Sequence, residues 1–145
     1  MKIMFICTGN TCRSPMGEGI LRHLLEQSGR TDIVVGSAGL AAFPGDEASP
    51  HAIEACREIG VDLTHHRSRR LNADDLQQTD LFVPMTPAHA AALQQQGIDA
   101  QRIFLPLDPI RDPFGGTLAV YQACRDDLVQ LCKQVLKQVD ERDKV

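Results

Sequence analysis

The chain has 145 residues, 43% of them hydrophobic, with 15 Lys and Arg against 19 Asp and Glu for a net charge of −4. That is the size of one domain, expected over residues 1–145, and such a domain buries roughly two-thirds of its unfolded surface without needing a disulfide or a metal. The acidic balance argues against a general nucleic-acid or membrane-surface binder, and no stretch approaches the length of a membrane span.

The first strand is expected at Lys2 to Ile6, and the apolar run around it is too short for a signal peptide. Ser14-Pro15 then opens a helix with Pro at its first position and Met16, Ile20, Leu21, Leu24 and Leu25 as its apolar stripe, closed by Gly29. A second strand is expected from Asp32 to Gly36, followed by a loop from Ser37 to Ala48. Ser49-Pro50 starts a second helix with Ile53, Cys56 and Ile59 inward and Gly60 at its end. The basic cluster Arg67-Ser68-Arg69-Arg70 reads as a solvated turn, and a short helix follows Asn72. A third strand spans Asp80 to Val83, Thr86-Pro87 begins a helix ending at Gly97, and a fourth strand spans Arg102 to Leu105. Pro84 is out of place beside a central strand. A Pro- and Gly-rich loop, Pro106 to Gly116, leads to a last helix near Thr117, on which Leu118, Tyr121, Cys124, Leu128, Leu131, Cys132, Val135 and Val139 recur at helical spacing.

Alternating strand–helix units predict an α/β fold of three layers, a central four-stranded parallel sheet with helices on both faces. Ligands of such sheets sit beyond the carboxyl ends of the strands. Three segments arrive there: Cys7 to Ser14, Ser37 to Gly45, and Asp108 to Gly116.

The first of these segments carries the chemistry. Gly9 and Asn10 tolerate left-handed backbone angles, so the loop Cys7-Thr8-Gly9-Asn10-Thr11-Cys12-Arg13-Ser14 is able to curl its amides inward at a helix N-terminus, which makes an oxyanion site. Arg13 adds a planar fork for two phosphate oxygens. The field that holds phosphate also favours a thiolate at Cys7, placed as an in-line nucleophile with the Ser14 hydroxyl in reach. A thiolate needs a partner acid for the leaving group. Two Asp-Pro pairs compete, and Asp112, followed by Pro113, Phe114 and two glycines, is preferred over Asp108, which reads as a turn residue.

Together these residues resemble the low-molecular-weight protein tyrosine phosphatases over essentially the whole chain. Cys7 through Pro15 is similar to that family's phosphate loop and Asp112-Pro113-Phe114 to its general-acid loop. Ser37-Ala38-Gly39 and Asp62 to Arg67 also read like the family. The resemblance implies a flavodoxin-like fold and a two-step reaction: Cys7 attacks phosphorus while Asp112 protonates the leaving group, then water hydrolyses the phosphocysteine with Asp112 as base. It implies that Arg13 and the amides of Thr8, Gly9, Asn10, Thr11 and Cys12 hold the phosphate. It further implies that Asn10 props the loop, that Ser14, Ser37 and His66 bond behind it, and that no metal or other cofactor takes part. Cys12 is either a disulfide partner that protects Cys7 from over-oxidation or a packed small side chain, while Cys56, Cys124 and Cys132 lie on apolar stripes.

Thr11, and Gly115 after Phe114, depart from the commoner tyrosine-phosphatase pattern and resemble the bacterial protein-arginine-phosphatase branch. A hydroxyl at Thr11 is able to position water or a guanidinium, and one aromatic fewer weakens a slot for a phenol ring. Phe43 and Phe114 are the expected walls of the pocket. The expected enzyme is a monomer whose five thiols are reduced in the cytoplasm and whose partner is a phosphotyrosine- or phosphoarginine-bearing protein. An arsenate reductase is disfavoured because residues 80–92 contain no cysteine. A non-catalytic phosphate-binding module is disfavoured because Cys7, Arg13 and Asp112 are all present.

Overall fold

In the computed structural model, which describes residues 1–142, three parallel strands lie in the order β2-β1-β3. The last three residues of the expected domain fall outside the described residues. The strands are β1 (Lys2–Cys7), β2 (Val34–Gly39) and β3 (Leu81–Pro84). The helices are α1 (Arg13–Gln27), α2 (Pro50–Arg57), α3 (Ala73–Gln78), α4 (Pro87–Gln95) and α5 (Leu118–Arg142).

Both faces of the sheet are covered, and β1 shows it by alternation. Ile3, Phe5 and Cys7 join the core built with α1, α2 and α5, whereas Met4 and Ile6 join Ala38, Phe82, Leu93 and Ile98 on the other face. A strand buried on both sides reads as a continuous apolar run, as Ile3 to Ile6 does. On the first face α1 lies close on β1, because Gly17 leaves room for the ring of Phe5: a Cβ at Gly17 would stand 2.6 Å from Phe5 Cδ1.

The expected fourth strand is reduced to one parallel bridge, Phe82 with Ile103. Pro84 supplies the reason. Met85 N donates to Ile6 O, so the odd positions of β3 face β1, and the even positions face the other edge, where Phe82 O accepts from Phe104 N at 2.8 Å. The next amide on that edge belongs to Pro84, which has no N–H, and the ladder stops. The preceding residues are also committed elsewhere: Ala100–Arg102 form a 3-10 turn capped by the Asp99 carboxylate.

Other boundaries move for local reasons. The second strand runs later than expected, to Gly39 rather than Gly36, because Ser37, Ala38 and Gly39 pair with Phe5, Ile6 and Cys7. Helix α1 begins at Arg13, so Pro15 sits third, where its missing N–H is still harmless. Helix α2 ends at Arg57. Gly60 closes the turn at φ +81°, and Ile59 comes out 36% exposed rather than inward. The basic cluster, expected as a solvated turn, is solvated at Arg67 and Arg70 but anchored between them. Ser68 is buried, Arg69 pairs with Asp75 at 2.7 Å, and Arg70 bridges to Gly39. Among the described residues no helix is long and apolar enough to cross a membrane.

Candidate active site

Cys7 is the last residue of β1 and Arg13 the first of α1, so the sheet and the helix fix both ends of the loop between them. Among the described residues, the backbone N–H groups of Gly9, Asn10, Thr11 and Cys12 donate to no protein acceptor, although Asn10 and Cys12 are buried. The α1 N-terminus adds to these, since Cys12 at the N-cap makes no capping bond and the first turn holds no acidic residue. A run of unspent amide donors at a positive helix end is a cup for an anion.

Asn10 sets the shape of the cup. It is the one described non-glycine residue with positive φ, at +57°, a conformation costing about 1 kcal/mol for an L-residue, and its bonds hold it there. Asn10 Nδ2 donates to Ser14 Oγ at 2.8 Å and Ser37 Oγ at 3.0 Å. Its Oδ1 accepts from Arg69 N at 3.0 Å, and its carbonyl accepts from His66 Nε2 at 2.8 Å. Gly39 is required alongside, because a Cβ there would stand 2.5 Å from Thr8 O.

Ser14 Oγ lies 2.8 Å from Cys7 Sγ. The Ser14 oxygen already accepts from Asn10 Nδ2, which leaves its proton free to be donated toward the sulfur. The directions behind that bond are set by Arg69 N, which donates to Asn10 Oδ1 and so turns Nδ2 toward both hydroxyls, and on the Ser37 side by Glu18, a residue that the sequence reading passed over. The Glu18 carboxylate accepts from Ser37 Oγ at 2.5 Å, which leaves the Ser37 oxygen to accept from Asn10. Glu18 follows Ser14 by one helical turn, and that spacing was the available signal. Glu18→Ala is expected to lower kcat/KM by about three- to tenfold through a misdirected Ser37 hydroxyl and a loosened Asn10, with Glu18→Gln, which still offers an acceptor oxygen, close to the wild type. Steady-state rates on an aryl phosphate check this, and an unchanged Glu18→Ala would place control of the relay elsewhere.

Arg13 is buried, and its Nη1 donates to Ile110 O at 3.1 Å while Nη2 stands 3.8 Å from Asp112 Oδ2. The acid loop is thus tied to the cup. Ile110 N in turn donates to Met85 O at the end of β3. Asp112 is exposed, its Oδ1 accepting from Phe114 N at 3.0 Å, while Asp108 makes no ion pair among the described residues. Phe43 and Phe114, the expected pocket walls, stand 75% and 76% exposed. Thr11 is partly buried beside Cys12, whose Sγ faces Ser49 Oγ at 3.0 Å and Tyr121 Oη at 3.4 Å. Burial pushes the Tyr121 phenol up to about 12, the bond to Cys12 adding to it. All five thiols are free. Burial pushes Cys56 and Cys124 up to about 12 and Cys132 higher still.

Sequence reading also missed His89. It lies on α4, yet its Nε2 is 2.9 Å from Thr8 Oγ1 at the rim of the cup.

The sequence model described as low molecular weight phosphotyrosine protein phosphatase matches residues 2–145. The chain belongs to that family. Among relatives of this phosphatase, a protein-arginine-phosphatase of Bacillus subtilis is 37% identical over 96% of this chain and 97% of its own. A protein named arsenate reductase 1, from Staphylococcus epidermidis, is 33% identical over 87% of this chain and 88% of its own. A solved structure of the arginine phosphatase YwlE, a mutant with a phosphorylated active-site serine, superposes with a TM-score of 0.89 at 36% identity, covering 97% of this chain and 96% of that one.

Proposed function

We propose that this phosphatase removes phosphate from arginine side chains of proteins, with a phosphocysteine at Cys7 as intermediate. The observation that carries the reaction type is the cup of unspent amides, with Cys7 at one end of its loop, Arg13 at the other, and Asp112 facing Arg13. The Cys7 thiolate attacks phosphorus, the P–N bond breaks, and Asp112 gives its proton to the departing guanidine nitrogen. Water then attacks the phosphocysteine and loses a proton to Asp112. The S–P bond breaks, and inorganic phosphate leaves with the thiolate restored. Arg13 and the loop amides hold the phosphoryl oxygens in both steps. Asn10, Ser14, Ser37 and His66 act behind the loop, shaping it and donating to the thiolate.

Three features support arginine over tyrosine as the group that bears the phosphate. The acid loop carries one ring, Phe114, and Gly115 at φ +79° follows where a second would stand. Thr11 offers a hydroxyl to a guanidine at the cup. The Bacillus relative is named for phosphoarginine. Phosphotyrosine is the second reading, favoured by the exposed rings of Phe43 and Phe114, which suit a phenol. Thiol relay chemistry on arsenate finds little support: residues 80–92 hold no cysteine, and burial raises the three thiols outside the loop.

One comparison tests the proposal, kcat/KM on a peptide carrying phosphoarginine and on the same peptide carrying phosphotyrosine. A preference for phosphoarginine is expected. A preference for phosphotyrosine would refute the substrate reading and leave the phosphocysteine chemistry standing.

A further inference from the structure

Thr8 and His89 form a pair that none of the roles above uses. His89 is 6% exposed, the third residue of α4, and its backbone N–H is capped by Thr86 Oγ1 at 3.3 Å. Its Nε2 meets Thr8 Oγ1 at 2.9 Å, and its Nδ1 is buried with no hydrogen-bond partner among the described residues. That orphan selects the tautomer. A proton on Nδ1 would be a buried donor without an acceptor, whereas a bare Nδ1 lone pair is a smaller loss. The proton therefore sits on Nε2, and His89 donates to Thr8. Burial, and after it the charge of Arg13, lowers the affinity of the ring for a second proton, with Asp112 opposing, so the ring is held in this neutral form.

The consequence falls on Thr8. One lone pair of its hydroxyl is taken by His89, and no other side-chain bond is made among the described residues. One proton and one lone pair remain, on an exposed residue adjoining Cys7 at the mouth of the cup. That combination matches the junction of a phosphorylated guanidine, where a phosphoryl oxygen accepts and the neighbouring N–H donates. A phosphorylated phenol offers oxygens at the same junction and no N–H.

We infer that Thr8, oriented by His89, reads the phosphoryl–guanidine junction of the substrate, with His89 as a positioning residue acting through it. The inference rests on the phosphoarginine reading. It adds a specificity determinant on the side of the cup formed by α4, separate from Thr11.

The test is the ratio of kcat/KM on a phosphoarginine peptide to kcat/KM on its phosphotyrosine counterpart, for the wild type, Thr8→Val, His89→Leu, the double variant, Thr8→Ser and His89→Asn. Thr8→Val and His89→Leu should each lower the ratio by about five- to tenfold, the effect of one lost hydrogen bond. The double variant should be no lower than Thr8→Val alone, because His89 acts only through Thr8. Thr8→Ser keeps the hydroxyl and His89→Asn keeps a donor, so both should hold the ratio near the wild type. Thr8→Ser against Thr8→Val carries the comparison even where His89→Leu does not fold. An unchanged ratio in Thr8→Val, or losses that multiply in the double variant, would overturn the inference. A wild type that does not turn over phosphoarginine overturns the substrate reading first, and is seen before any variant is made.

Discussion

Cys7→Ser is expected to lose turnover by on the order of 10⁴-fold or more, while inorganic phosphate still binds as a competitive ligand. The two effects separate because they come from different atoms. On the proposed mechanism binding rests on the Gly9 to Cys12 amides, which have no protein acceptor, the uncapped α1 N-terminus and Arg13, none of which contains the Cys7 sulfur. Turnover, on the same mechanism, rests on the sulfur of Cys7, which lies 2.8 Å from Ser14 Oγ. A serine hydroxyl in its place must lose a proton before it attacks, and Ser14, already accepting from Asn10, is no base. A phosphoserine, once formed, also has a poorer leaving atom than sulfur and should persist. Burst and steady-state rates, with phosphate inhibition measured alongside, check both halves. A Cys7→Ser variant that turns over at the wild-type rate would remove the nucleophile from the account.

The second large effect is expected at Asp112. Asp112→Asn should slow the first turnover of a phosphorylated peptide by about 10²- to 10³-fold, because its leaving group departs only with a proton. With p-nitrophenyl phosphate, whose leaving group needs none, the first turnover should survive as a burst. The reaction should then stall, because the water that attacks phosphocysteine has lost its base. The contrast separates proton transfer from charge. Asp112 also faces Arg13 at 3.8 Å, and a purely electrostatic role would slow both substrates alike from the first turnover. That outcome would pass the acid role to another group, with Asp108 the nearest in sequence.

What could be read from the chain was what is local in it. The cup is a continuous run between a strand and a helix, and its glycine, asparagine, arginine and cysteine each have a reason to stand there. The parallel α/β architecture followed from the alternation of apolar strands with amphipathic helices. Less legible were features decided across the fold. The fourth strand has a sequence that suits a strand, and it fails to form a ladder because Pro84, on its neighbour, lacks an N–H. The Arg67 to Arg70 cluster has the composition of a surface turn, yet Arg69 donates its backbone N–H to Asn10, fifty-nine residues away. His89 carries no local mark at all, since it meets Thr8 across eighty-one residues. Glu18 could have been found from its helical spacing to Ser14, but only a fold that brings Ser37 alongside gives that spacing a meaning. Phe43 and Phe114 were legible as aromatic residues on the loops beyond the strands; their exposure depended on how those loops pack.

A covalent phosphocysteine at Cys7 is the intermediate on which the proposed reaction depends. Rapid quenching of the enzyme with a phosphoarginine peptide, followed by mass spectrometry of the digested protein, tests it most directly. A phosphoryl group is expected on Cys7, forming with the first turnover and decaying as inorganic phosphate appears. Phosphate released at the full rate with no phosphoenzyme, or with the label on another residue, would contradict it.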